Sequence, residues 1–445
     1  MVNYEEKKRR LIDELRASTG HVIGLNKDKS NLFRDRKELP KRKLNVSGFN
    51  NVLQVAAGQG WVEVEGMTPY ETLVNATLAH GVMPPVVPQL KSITIGGAVS
   101  GIGIESSSFR YGLVHETVLE MEILLADGST VVCTPDNEHR DLFFGFPNSY
   151  GTLGYLLRLK VRTIPVKPYV KLQHIRYRDA AALFRELDDW CRNPAVDFVD
   201  GTVFAPDELY LTIGMFTAAV PFTSDYTYKH IYYRSIRNKV TDYLTTLDYL
   251  WRWDTDWFWC SKNLYLQNPL LRRLVGKRFL NSVTYTKVMR WNSRWQLTRR
   301  INHLLRIYTE SVIQDVDIPI TKGSEFLEFF HQEIGITPIW LCPVHAYNPA
   351  VQFDLFALEP NTLYVNFGFW DVVKSRQPQP SGHYNRKVEQ KVTELGGIKS
   401  LYSDVFYPPE EFWRCYNKPV YDRLKAKYDP HGLFKNLYQK TVLRE

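Results

Sequence analysis

Hydrophobic and polar positions alternate in two rhythms along this chain, and the changes of rhythm outline its elements. Residues 4–17 place Leu11, Ile12 and Leu15 on one face among charged neighbours, which predicts an amphipathic helix. Val62-Glu63-Val64-Glu65 alternates with period two and predicts a strand. Thr68-Pro69-x-Glu71 joins an N-cap, a proline at the first helical position and a capping box. A helix should follow to about His80 and stop at Gly81. Pro84, Pro85 and Pro88 hold the chain extended up to a strand-like 92–95. Beyond it, strands over 119–125 and 130–134 flank an Asp127-Gly128 hairpin turn, and 156–163 forms another strand. After Pro165 and Pro168 the rhythm changes again. Strands at 209–216 and 362–369 and helices at 180–191 and 386–395 follow. Strand and helix mix without a regular βαβ order, which is the pattern of an α+β protein.

Candidate chemistry concentrates in Thr94-Ile95-Gly96-Gly97-Ala98-Val99-Ser100-Gly101-Ile102-Gly103-Ile104-Glu105-Ser106, with four glycines in eight residues. Glycine allows positive φ and close approach of a ligand to the backbone. Successive free N–H groups in such a loop form a concavity for an anion, so a nucleotide pyrophosphate fits the segment. It is not a Walker loop, because Ile102-Gly103 stands where Lys-Ser or Lys-Thr is required. Gly101-x-Gly103-x-x-Ser106 lacks the third glycine of a dinucleotide fingerprint, and 105–109 does not open a convincing helix.

Composition narrows the partners. At 445 residues the chain is long enough for two domains, and 44% hydrophobic with 23% charged residues is ordinary for a soluble globular protein. The net charge of +8 favours an anionic partner: cofactor phosphates, acidic lipid or nucleic acid. Nucleic acid is disfavoured, since aromatics do not alternate with Lys/Arg on a predicted sheet. Five cysteines, Cys133, Cys191, Cys260, Cys342 and Cys415, with no Cys-x-x-Cys, argue against a disulfide framework or zinc site and for a reducing compartment. No metal site is expected. No secretory signal and no spanning apolar run is present, so the expectation is a cytoplasmic protein, with peripheral contact at a membrane surface left open.

Two stretches admit two readings each. Residues 26–43 carry eight Lys/Arg against three Asp/Glu: a solvated loop, or a basic wall beside cofactor phosphates with Arg34 and Arg36. Residues 249–260 (YLWRWDTDWFWC) form either an aromatic core or an apolar lip at a membrane interface, with Lys262, Arg272, Arg273, Lys277 and Arg278 nearby.

The order of these pieces resembles the vanillyl-alcohol-oxidase (PCMH-type) superfamily of flavoproteins, and within it the Δ24-sterol reductase branch. The resembling residues are Thr94-Ile-Gly-Gly97 with Gly101-Ile-Gly-Ile-Glu-Ser-Ser-Ser108, Tyr111-Gly112, Leu125-Ala-Asp-Gly-Ser129, Cys133-Thr-Pro135, Asp141-Leu-Phe143, Gly151-Thr-Leu-Gly154 and Tyr169-Val-Lys-Leu172. Downstream come Pro338-Ile-Trp-Leu-Cys-Pro343, Leu401-Tyr-x-Asp404 and Glu411-Phe-Trp413. The resemblance implies a two-subdomain PCMH-type FAD-binding domain over 1–165, a substrate-binding cap domain over 166–400, and a C-terminal segment over 401–445 that returns toward the flavin. It places the FAD contacts on Thr94–Ser106 and on Gly151, Thr152 and Gly154. The animal members carry an N-terminal membrane helix, whereas this chain begins with a charged segment. The superfamily's first cofactor loop is glycine-rich, but 31–43 here contains no glycine. No Gly-Gly-His occurs, so FAD would be held noncovalently.

The implied activity is FAD-dependent reduction, NADPH-linked, of an alkene in a sterol-like or isoprenoid substrate. The alternative is an FAD-linked oxidase or dehydrogenase of an alcohol or sugar. Either needs a titratable group beside the reacting atoms. Tyr402 and Asp404 come first, as proton donor or orienting pair, against a same-face packing pair on a strand. His383 is second, against a structural histidine. Glu105 either touches the cofactor or caps a turn, and Trp340 and Cys342 shape the cavity.

Overall fold

The period-two alternation resolves into two antiparallel sheets. The computed structural model of the chain describes residues 3–17, 23–26, 33, 42–295 and 306–445, with 290 and 292–295 described by backbone alone. The first sheet has five strands in the spatial order Val52–Ala56, Trp61–Glu65, Tyr155–Arg162, Val118–Leu124, Thr130–Cys133. Along Tyr155–Arg162 every second residue (Tyr155, Leu157, Leu159, Val161) is buried, the expected outcome for a strand with one face on a core. The turn into Thr130–Cys133 is the expected one: Gly128 sits at φ +84° and Asp127 Oδ1 accepts from the Ser129 N–H at 2.8 Å. Helix Tyr4–Arg16 buries Leu11 and Leu15 in a small core with Leu44, Phe49 and Leu157.

Two local expectations are corrected. The helix after the first predicted strand is Tyr70–Leu78, and its cap residue is Pro69 without a side-chain cap. Thr68 lies one residue before the cap, since Pro69 O accepts the first helical bond from the Leu73 N–H at 3.1 Å, and the Thr68 hydroxyl donates to the Asn51 carbonyl at 3.1 Å. The glycine-rich loop is in fact a short helix, Ile95–Gly101, capped by Thr94.

The second sheet has eight strands in the order Thr241–Thr245, Tyr169–Tyr177, Glu208–Thr217, Phe198–Ala205, Ile339–Val344, Tyr364–Ser375, Tyr308–Pro319, Ile398–Lys399. Helices Ala180–Arg192, Gly323–Glu333 and His383–Glu394 cover one face. Leu183, Phe326 and Val388 from these helices meet Val312, Val316 and Phe367 of the sheet in one core. Side chains from the sheet's other face, Val170, Leu172, Trp340 and Trp370, join Val62, Met121 and Leu159 of the first sheet in a single larger core. The two sheets therefore share one apolar interior. The aromatic run takes its core reading: Trp251, Trp253, Trp257, Phe258 and Trp259 are all buried.

That interior contains a fully buried cation that joins the two sheets. The Arg252 guanidinium donates to Glu105 Oε1 at 2.9 Å and to Asp200 Oδ2 at 2.6 Å, and lies 4.0 Å from the centre of the Tyr249 ring. Glu105 follows the glycine helix and Asp200 belongs to the second sheet, so one side chain ties the two together. Burial pushes the Asp200 carboxyl up to about 6 even beside the arginine. The C-terminal helices are anchored by Lys425, whose ammonium donates to the Thr152 carbonyl at 2.9 Å and to the Phe434 carbonyl at 2.7 Å. No helix among the described residues is long and apolar enough to cross a membrane.

Removing the cation strands two buried carboxyls. Arg252→Ala should lower unfolding free energy by roughly 3–5 kcal/mol, the usual cost of breaking a buried ion pair. Urea unfolding followed by tryptophan fluorescence measures this; a loss below about 1 kcal/mol, typical of exposed pairs, would contradict the assignment.

Candidate active site

The glycine helix starts where Thr94 turns the chain, and its first four amides already have acceptors. Ile95 N–H donates to Thr68 O at 3.0 Å, Gly96 to Gly66 O at 2.8 Å, Gly97 to Thr94 Oγ1 at 3.3 Å and Ala98 to Thr94 O at 2.9 Å. At these four positions the expected free amides are already bonded, and Gly96 acts by shape. A Cβ on Gly96 would stand 2.5 Å from the Gly66 carbonyl oxygen, so only glycine lets these two segments touch. Gly97 is exposed, and a Cβ there would stand 2.9 Å from Thr94 Oγ1, the hydroxyl that caps the helix. Backbone strain follows at the helix end. Ile102 has φ +60°, a costly value for a β-branched residue. Tyr150 holds the turn, with its N–H on Ser100 O at 2.9 Å and its hydroxyl on Gly101 O at 3.0 Å.

This segment forms part of the wall of a cavity of about 370 Å³. That volume lies in the usual range for small-molecule and cofactor sites. Thr94, Gly96, Gly97, Ala98, Ser100, Gly101, Ile102, Gly103 and Ile104 line it, as do Gly151 and Gly154. Lys43, Phe434, Lys435, Lys440 and Glu445 bring both ends of the chain to the same space. The second sheet contributes an aromatic wall, Trp340 and Trp370, joined by Trp257, Phe258, Phe33 and Tyr402. Phe258 stacks on Trp370 with ring centres 4.1 Å apart.

One acid stands in that wall. Asp315, Gly368 and Trp340 share a row across three neighbouring strands, and paired residues in such a row point to the same face. A Cβ on Gly368 would lie 2.6 Å from Asp315 Oδ1 and 2.5 Å from the Trp370 ring, so the missing side chain makes room for both. Asp315 Oδ1 is buried without a hydrogen-bond partner. Burial drives the Asp315 carboxyl up to about 8; a hydrogen bond from Tyr402 opposes the rise and the charge of Asp317 adds to it. Asp315 is thus a neutral acid at pH 7. The Tyr402 hydroxyl, itself buried and pushed well up, accepts from Trp370 Nε1 at 2.8 Å. Trp370, Tyr402 and Asp315 therefore form a connected polar array in an otherwise apolar wall.

The structure sorts the sequence candidates. Of the three proposed for proton handling, Tyr402 lines the cavity and Asp404 and His383 do not. Asp404 pairs with Arg444 at 3.1 Å, and His383 opens helix His383–Glu394 with its ring against Tyr384. Among the cofactor candidates, Ile95, Val99, Glu105, Ser106 and Thr152 are buried away from the cavity surface. Glu105 pairs with Arg252, the Ser106 hydroxyl bonds that of Tyr249 at 2.9 Å, and Thr152 Oγ1 donates to Ser149 O at 2.8 Å. Cys342 is buried and its thiol is pushed well up by burial, which leaves it no nucleophilic role. Arg34 and Arg36 lie outside the described residues. Phe33 of that segment is described, and its N–H donates to Tyr402 O at 3.0 Å. Sequence reasoning missed Asp315. Its signal was present in Asp315-Val316-Asp317-Ile318, two carboxylates inside an alternating apolar run.

Comparison with known proteins agrees with the cavity's cofactor-sized shape. Residues 29–134 match the model of an FAD binding domain. The chain is 28% identical over 404 residues to a Delta(24)-sterol reductase of Rattus norvegicus, covering 88% of this chain and 76% of that protein. It is 26% identical over 444 residues to the Delta(24)-sterol reductase of Arabidopsis thaliana, covering 92% and 78%. Cytokinin dehydrogenase 7 of Oryza sativa is 28% identical over 156 residues, which is 34% of this chain. The chain carries an FAD-binding domain of the PCMH type and is an FAD-dependent oxidoreductase.

The half-buried Asp315, with its Oδ1 shut off from solvent, leaves a mark on stability. Asp315 ionises near pH 4 in an unfolded chain and near 8 when folded. The folded state holds the extra proton between these values, so this group's contribution to stability falls as pH rises from about 4 to about 8. Asp315→Asn should flatten the stability profile across that window, by up to about 1.4 kcal/mol per pH unit. Urea midpoints over a pH series test it; an unchanged slope would mean Asp315 is ionised at neutral pH.

Proposed function

We propose that this FAD-dependent oxidoreductase reduces a carbon–carbon double bond in a sterol-like substrate, with NADPH as electron source. The observation that carries the reading is the Asp315 carboxyl, its Oδ1 without a hydrogen-bond partner, in the aromatic wall of a cavity whose other wall is the glycine helix. The relatives named above as sterol reductases support the substrate class.

The residues fit FAD. Gly97 and the open turn through Gly103, with Gly151 and Gly154, let a flat or phosphorylated group lie against backbone, and Lys43 supplies positive charge. Bound there and first reduced by NADPH, the flavin would supply hydride for one alkene carbon. The other carbon needs a proton. Asp315 holds one at neutral pH and is the proposed donor; Tyr402 positions it and is itself positioned by Trp370. Reduction needs a protonated acid and alcohol oxidation needs a base, so a carboxyl held neutral favours reduction. Trp257, Phe258, Trp340 and Trp370 exclude water and offer apolar faces to a hydrocarbon substrate. Such a substrate resides in membranes, so the enzyme works at a membrane surface.

The two half-reactions separate the assignments. Protein supplied with FAD should show a bound flavin band that NADPH bleaches without oxygen and a Δ24 sterol restores. Asp315→Asn should keep the band and the bleaching but slow its return by roughly 10²–10⁴. In the unmodified protein that return should slow as pH rises past about 8. Bleaching by an alcohol and not by NADPH would reverse the proposed direction. Gly97→Leu, which displaces the Thr94 hydroxyl locally, should keep a cooperative urea transition and lose most of the bound FAD. Full FAD occupancy in that variant would move the cofactor elsewhere.

A further inference from the structure

We infer that the surface formed by residues 265–291 docks this protein on an anionic lipid bilayer. The inference rests on the membrane-resident substrate proposed above and names the surface that meets the membrane.

Charge is distributed unevenly along the chain. Residues 257–309 contain 11 Lys/Arg and no Asp or Glu, while the rest of the chain carries a net −3. The whole positive balance thus resides in this one segment. Two of its cations are consumed internally: Arg272 is buried against Asp256 at 2.6 and 2.9 Å, and Lys262 pairs with Asp371 at 2.6 Å. Arg273, Lys277, Arg278 and Lys287 are exposed, with no carboxylate at ion-pair distance among the described residues. Asp225 is the acidic neighbour that senses Lys277.

The same segment exposes its large apolar side chains. Helix Pro269–Val275 turns Arg272 inward and leaves Leu270 73% and Leu274 82% exposed. Tyr265, Leu271 and Phe279 flank it, and helix Ser282–Trp295 exposes Val288, Met289 and Trp291. Single exposed apolar residues are commonplace. Here they run together in the sequence, interleaved with cations, which is the composition of a face that lies in a headgroup layer. An RNA-binding face would present rings for stacking, whereas most of these exposed residues are aliphatic. The surface is also close to the cavity. Trp257, which lines it, stacks on Tyr285 at 6.4 Å, one turn before Val288 and Met289. A docked bilayer would lie near the aromatic wall, where a lipid-soluble substrate must arrive.

Co-sedimentation of the FAD-loaded protein with vesicles tests this. Vesicles of phosphatidylcholine with about one-third phosphatidylserine should pellet it at low salt, less so at high salt, and pure phosphatidylcholine should do so weakly. The triple variant Arg273→Glu, Lys277→Glu, Arg278→Glu should bind the acidic vesicles roughly a hundredfold more weakly. Leu270→Ser with Leu274→Ser should weaken binding to both kinds. Both variants should keep the flavin band and its bleaching by NADPH, which shows that they fold. Failure of the unmodified protein to pellet, or indifference to both variants, would overturn the docking surface while leaving the oxidoreductase intact. Binding to single-stranded RNA with no vesicle binding would overturn it in favour of nucleic acid. Vesicle binding by a protein that NADPH does not bleach would refute the proposed reduction alone.

Discussion

One buried guanidinium sets the geometry on which the cavity depends. Arg252 joins Glu105, just past the glycine helix, to Asp200 in the second sheet, and it stacks on Tyr249. Next to it, the Val199 N–H donates to Ser106 O at 2.8 Å. These bonds fix the glycine-lined wall relative to the aromatic wall. A buried cation in such a place is costly to desolvate, and it is kept because two carboxylates and a ring face compensate it. Apolar packing alone is non-directional and would hold the two sheets together without fixing their register.

The same interior controls the proton. Burial lifts Asp315 to about 8, so a carboxyl that would be an anion in water stays an acid here. The sheet makes this possible by geometry: Val312, Val316 and Ile318 fill the core under the helices, and Asp315 falls on the opposite face toward the cavity. Gly368 leaves the gap in which the carboxyl sits, and Trp370 bonds the Tyr402 hydroxyl beside it. Two strands and one loop contribute to an array that no single segment contains.

Outside, the division of labour is by charge. The acid-free segment collects the net positive charge and the exposed leucines, while the interior pairs its ions. Solvent screens the exposed cations and leaves them available to a surface of opposite sign. The aromatic run that overlaps the start of this segment is packed in the core, and what reaches solvent is the leucine-rich helix behind it.

Much of the local structure was legible in the chain itself. The period-two runs gave their strands and Asp127-Gly128 its hairpin, because backbone preferences and side-chain periodicity act between near neighbours; the FAD-binding domain was reached through the family resemblance that the ordered motifs carry. The helical form of Ile95–Gly101 was not legible, since its amides are satisfied by Thr68 and Gly66, which lie far back along the chain. Tyr402 was found through its motif, but its partner is Asp315, 87 positions earlier, and the adjacent Asp404 pairs with Arg444 instead. Sequence by itself determined most of the local elements and, through the family resemblance, the cofactor. The tertiary structure alone decided which acid faces the cavity and keeps its proton, because burial and cross-strand neighbours are set by contacts between residues distant in the chain.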